Sequence, residues 1–128
     1  MISEELHDLL SVIAVTIFAD KRVFAKEIET FLKMSEKVQR LRNSDDSLSE
    51  AKLLSWFDSN SAIIRDKIQT PKFESWFYGC LDRLNGLYDM QAIIDIMSEI
   101  AKSDDDFHIS EQALIVLTAN HWNVEYRL

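Results

Sequence analysis

Apolar residues recur at three- and four-residue intervals along most of the chain, the spacing that gathers side chains on one face of an α-helix. Leu6, Leu9, Leu10, Ile13 and Ile17 form one such stripe and predict a first helix. Ile28, Phe31, Leu32, Val38 and Leu41 predict its partner. The polar run Asn43-Ser44-Asp45-Asp46 then separates this pair from Ser47-Leu48-Ser49-Glu50, which has the form of a capping box. In such a box Ser47 and Glu50 each satisfy a free amide at the start of a third helix. Leu53, Leu54 and Phe57 carry that helix to Asp58-Ser59-Asn60-Ser61, whose short polar side chains compete for backbone hydrogen bonds and predict a break before a fourth. Thr70-Pro71 predicts the start of a fifth, since proline loses nothing at the first helical position and threonine accepts from the next free amides. Asn85-Gly86 ends it, glycine being at ease in the left-handed conformation that terminates helices. A sixth helix follows over 90–102, and 111–120 lies in a seventh.

Two glycines and one proline leave little punctuation for hairpins, so the expected fold is all-α, a compact bundle of about seven helices. The 128 residues suit one domain over 1–128, long enough to bury roughly two thirds of its unfolded surface around one core. At 47% apolar and 28% charged residues, the composition is that of a chain that folds unaided rather than of a disordered acidic segment.

Charge and cysteine content narrow the function classes. A formal charge of −8 repels phosphate backbones and anionic lipid and attracts cations or basic proteins, so nucleic acid is not an expected partner. Cys80 is the only cysteine, which excludes an intramolecular disulfide framework and any cysteine-held zinc or iron–sulfur centre. The opening Met1-Ile2-Ser3-Glu4-Glu5 lacks the basic region of an export signal, and the longest nearly uncharged run, Leu9 to Ala19, has 11 residues against the ~20 that span a bilayer. A cytoplasmic protein without membrane insertion is expected.

Two stretches of the chain align with each other. Asp20 precedes Glu27 by seven residues, and Asp104 precedes Glu111 by seven; Val23 and Phe107 hold the same place between them. The copies lie 84 residues apart, and helix-spaced apolar residues flank both, giving repeat cores of about 6–41 and 90–124 with an internal pseudo-twofold relation. On an unbroken helix, seven residues would hold the two carboxylates about 10 Å apart along the axis, too far to share one ion. The chain must therefore turn within each stretch. Asp104-Asp105-Asp106 favours such a turn by poor helix propensity and mutual repulsion, and an unbroken first helix from Ser3 to Arg42 would run 40 residues, far beyond the usual length.

These residues resemble the TerB-like family of tellurite-resistance proteins, whose repeated signature is an apolar helix, Ala-Asp-Gly, an apolar residue and a Glu opening the next helix. Ala19-Asp20 with Val23 and Glu27 matches the first instance, and Asp104 through Phe107-His108 to Glu111 resembles the family's Asp-Gly-Glu-Phe-His variant. The resemblance spans nearly the whole chain. It implies a compact helical fold with twofold pseudosymmetry, acidic residues of both repeats gathered on one side, and divalent-metal binding in stress-response systems, without enzyme activity. Lys21 and Asp105 stand where the family usually has glycine, and Lys21-Arg22 places two cations beside the first carboxylate pair.

The candidate cation ligands are thus Asp20, Glu27, Asp104 and Glu111, with Asp106 auxiliary; calcium or magnesium suits such oxygen donors better than zinc. Helix capping alone also accounts for the two glutamates, which fall at the third position of a helix, and turn formation for the two aspartates. The second turn is no EF-hand: counted from Asp104, its sixth residue is Ile109 rather than Gly and its twelfth Ile115 rather than Glu. His7, His108 and His121 are scattered, the two Ser-Trp-Phe triplets at 55–57 and 75–77 suit core packing, and Cys80 reads as an inert buried thiol. Phosphate loops and nucleophile elbows are missing from the sequence, so no enzyme activity is expected. Two function classes follow: a divalent-cation-binding stress module, or a non-enzymatic adaptor whose acidic face docks a basic protein partner.

Overall fold

The computed structural model describes residues 3–19, 25–42, 47–103 and 109–126. Among them the chain forms seven helices and no strand: α1 Glu4–Phe18, α2 Ala25–Lys33, α3 Ser35–Arg42, α4 Glu50–Ile68, α5 Phe73–Leu84, α6 Met90–Ala101 and α7 Ile109–His121. The all-α expectation holds and so does the helix count, although two boundary errors cancel within it. The second expected helix is two helices, α2 and α3, which meet at a turn at Met34. The third and fourth are one. Helix α4 runs unbroken through Asp58–Ser61, because Trp56, Phe57 and Ile64 on either side of the polar run are buried, and Asn60 donates to the Trp56 carbonyl at 2.8 Å instead of to an outside group.

Local caps differ from expectation in the same manner. Ser49, not Ser47, caps α4: its hydroxyl accepts from the Lys52 amide at 3.1 Å, while the Ser47 carbonyl takes the Lys52 ammonium at 2.9 Å. Glu50 is therefore the first residue of α4 rather than its third. Thr70 closes α4 rather than opening α5, its hydroxyl donating back to the Lys67 carbonyl at 2.9 Å; α5 starts at Phe73 without a side-chain cap. Gly86, at φ +83°, follows α5 as its stop signal requires. Asp89 caps α6 by accepting from the Ala92 amide at 3.2 Å.

The apolar stripe read on α1 understates its burial. Every residue from Asp8 to Phe18 is buried, and a helix covered all round sits at the centre of its domain. It packs against α2, α4, α5, α6 and α7, and buried residues from all the helices join in one apolar cluster. At about 1.5–3 kcal/mol per buried Leu, Ile or Phe side chain, this cluster is the main stabilising term.

The repeat expected over about 6–41 and 90–124 has matching positions in the core. Each of the six buried residues of α6, Ile93, Ile94, Ile96, Met97, Ile100 and Ala101, lies 84 residues after a buried residue of α1: Leu9, Leu10, Val12, Ile13, Thr16 and Ile17. Phe31 and Ile115 are matched in the same way, as are Val38 and Trp122, all buried. Packing follows suit. The neighbouring pairs α1–α2 and α6–α7, the cross pairs α1–α7 and α2–α6, and the central pair α1–α6 all pack together, a set unchanged when α1 is exchanged with α6 and α2 with α7. No helix among the described residues is long and apolar enough to cross a membrane.

Candidate functional site

Helices α2 and α7 begin at Ala25 and Ile109, again 84 residues apart, so Glu27 and Glu111 each fall at the third position of a helix. Neither exposes any surface: both are at 0%. Full burial of a glutamate is uncommon, because an ionised carboxylate removed from water is unfavourable by several kcal/mol unless partners or a cation replace the water. Each carboxylate sits at the positive end of its helix, which offsets part of that loss, and neither side chain is without a partner. Helix α1 stops at Phe18 and α6 at Ala101, ahead of the two Asp-to-Glu stretches, and the turn expected within each stretch lies outside the described residues. Asp20, Asp104 and Asp106 lie outside the described residues, as do Val23, Phe107 and His108. Among the described residues, no group of three or more His, Cys, Asp or Glu is placed to hold a metal ion. Of the five candidate ligands, the two glutamates are therefore located and placed equivalently in their helices.

Aromatic residues fix α2 behind Glu27. Phe31, one turn further on, packs against Trp56 and Phe57 of α4 with ring centroids 6.1 and 5.5 Å apart, and Phe57 stacks on Phe18 at the end of α1 at 5.9 Å. The first Ser-Trp-Phe triplet is thus core, as expected, and its role is to seat the helix that presents Glu27. Beside the start of α7 lies an apolar pocket of about 200 Å³ lined by Val15, Ala19, Phe73, Leu114 and Leu117 among others, whose wall offers little to an ion.

The other polar sites join residues far apart in sequence. Arg83 of α5 grips Asp8 of α1 with two hydrogen bonds, Nε to Oδ2 at 2.8 Å and Nη2 to Oδ1 at 3.0 Å. Cys80 lies beside them, its Sγ 3.5 Å from Arg83 Nη2; burial, reinforced by the Asp8 charge, pushes its thiol up to about 11. Arg83 is held above its usual value mainly by the hydrogen bonds to Asp8. The Trp56 indole Nε1 donates to His7 Nδ1 at 3.0 Å. His121 Nε2 lies 2.7 Å from Asp82 Oδ1, with Tyr78 stacked on the imidazole at 4.7 Å, and Trp122 Nε1 donates to the Leu81 carbonyl at 2.9 Å. Sequence reasoning found none of these pairs. The one available signal was Asp8 itself, a lone carboxylate inside an apolar run, which required a cation that the sequence did not name.

With this geometry in hand, comparison with known proteins adds no identification: no family model, no curated protein and no solved structure matches the chain.

Proposed function

We propose that the chain is an acidic, TerB-like helical module of the cytoplasm that binds a divalent cation, calcium or magnesium in preference to zinc, in a stress-response setting of the tellurite-resistance type. The observation that carries this reading is the matched pair Glu27 and Glu111: two fully buried carboxylates at the same position of equivalent helices, each preceded by an Asp at the same interval. Capping asks only for a hydrogen-bond acceptor at that position, and an exposed glutamate or a glutamine supplies one. Burial of a charged group in both copies is better matched to a hard cation, for which carboxylate oxygens are the preferred donors. The assigned ligands are Asp20, Glu27, Asp104 and Glu111, with Asp106 auxiliary. No reaction is assigned to the site.

The rival adaptor reading would place a basic partner protein on the same acidic residues. Burial of Glu27 and Glu111 weighs against it, since a partner's lysines cannot reach carboxylates that expose no surface. It would rest instead on Asp104, Asp105 and Asp106.

Isothermal titration with calcium, magnesium and zinc tests the proposal. Binding of calcium or magnesium, with a melting temperature that rises with metal concentration, is expected, because a ligand taken up only by the folded chain stabilises it. Glu27→Gln and Glu111→Gln keep an acceptor for capping and remove the charge, so each should weaken the metal by roughly tenfold or more while the apo protein stays folded. An unchanged melting temperature and no heat at millimolar metal would remove the reading.

A further inference from the structure

We propose that His7 and Trp56 form a pH-sensitive pin that holds α2 on the core while His7 is neutral and loosens it in acid. The device concerns the packing of α2 and does not rest on the proposed cation site. Trp56 is 5% exposed, and its indole nitrogen donates to His7 Nδ1 at 3.0 Å. Indole has a donor and no acceptor, so this bond requires a neutral imidazole with its proton on Nε2. A second proton on Nδ1 turns the acceptor into a donor. Two N–H groups then oppose each other, and the indole of a buried tryptophan loses its partner, which is unfavourable in the same way as any buried polar group left unsatisfied. His7 itself is exposed, so protons reach it without opening the fold.

What moves with Trp56 is α2. The Trp56 ring packs against Phe31 of α2, and Phe31 leans in turn on Phe57, which stacks on Phe18 at the end of α1. Phe31 is one turn from Glu27, and α2 has nine residues, of which Glu27 and Phe31 are buried. Ile28 and Leu32 also pack against the core, and so short a helix is held mainly by such contacts rather than by its own hydrogen bonds. The charged groups within a turn of the contact are few. On α1 these are Glu4 and Glu5, both exposed, with Glu5 accepting from the Tyr88 hydroxyl, and Asp8, which is already committed to Arg83 of α5. On α4 there are Lys52, one turn before Trp56, whose ammonium is engaged by the Ser47 carbonyl, and Asp58, which is exposed.

The test is a series of ¹H–¹⁵N spectra of the full chain from pH 8 to 5, with the Trp56 indole signal assigned by its loss in Trp56→Phe. The indole resonance is expected to shift in step with the His7 ring, and α2 amides should exchange roughly tenfold faster in acid than their intrinsic rates allow for. His7→Asn places a non-titrating carbonyl oxygen near the Nδ1 position, and His7→Gln does so with a longer reach should the first variant fold poorly. In either, the indole signal should stay level and the extra exchange disappear. The proposal is overturned by an indole signal that stays constant while His7 titrates, or by a shift that survives in the Asn or Gln variant.

Discussion

The Thr16 hydroxyl is buried on α1 and has no hydrogen-bond partner among the described residues, at the position that Ile100 fills in the second repeat. Replacing it with the isosteric valine removes an unsatisfied group and leaves the packing volume intact. Thr16→Val should therefore stabilise the chain by about 1 kcal/mol in denaturant titration, and a loss of stability would show that the hydroxyl has a partner. Cys80 gives a pH dependence. Its folded-state thiol is raised to about 11, above the ordinary thiol range, so the unfolded chain releases this proton first as pH rises. The Cys80 contribution to stability is present below about pH 8.5 and is lost as pH climbs toward 11. Cys80→Ala should flatten that part of the stability profile, and in the native protein the thiol should resist a disulfide reagent at pH 8 until the fold opens. Asp8, with Arg83, answers to a different term. Removing Arg83 leaves a largely buried carboxylate without its cation, yet the Arg83 side chain is 58% exposed, so solvent screening reduces the loss. Arg83→Met should destabilise by roughly 1–2 kcal/mol in thermal melts, more than an ordinary surface ion pair.

At the scale of elements, sequence reading succeeded where local and tertiary preferences agree and failed where they conflict. The starts of α2 and α7, two residues before their glutamates, and the stop at Gly86 were legible because backbone geometry and side-chain chemistry ask for the same thing there. The polar run Asp58–Ser61 looked like a break on propensity alone. It stays helical because Phe57 and Ile64 flank it and are both buried, and tertiary packing outweighs a few tenths of a kcal/mol of propensity per residue. Ser59 lies on the exposed side of this run. Ser59→Pro should accordingly lower stability by about 3 kcal/mol or more, whereas a true break at 58–61 would tolerate proline with little change. The split between α2 and α3 at Met34 carried no glycine or proline, so nothing in the residues announced it.

For the whole molecule, the repeat was legible in two short acidic stretches and in the helix-spaced apolar residues flanking them over about 6–41 and 90–124, and the structure matches it position by position in the core. Six matched buried positions on α1 and α6, with Phe31 against Ile115 and Val38 against Trp122, share no residue identity, which is why comparison by letters gave the flanks as an apolar pattern and not as matched positions. Burial repeats where identity does not, because apolar side chains of different shape fill equivalent space at modest loss. The candidate site was legible to the extent that both glutamates were named and placed at the third position of a helix. Their burial was not, since acidic residues read as surface by default. The central claim is that these two equivalent, buried carboxylates serve a hard cation. Anomalous diffraction from crystals grown with Mn²⁺, an oxygen-preferring stand-in for calcium and magnesium, addresses it most directly. A peak within about 2.6 Å of a carboxylate oxygen of Glu27 or Glu111 is expected. A map with well-ordered glutamates and no peak beside either would contradict the account and leave helix capping as the role of both.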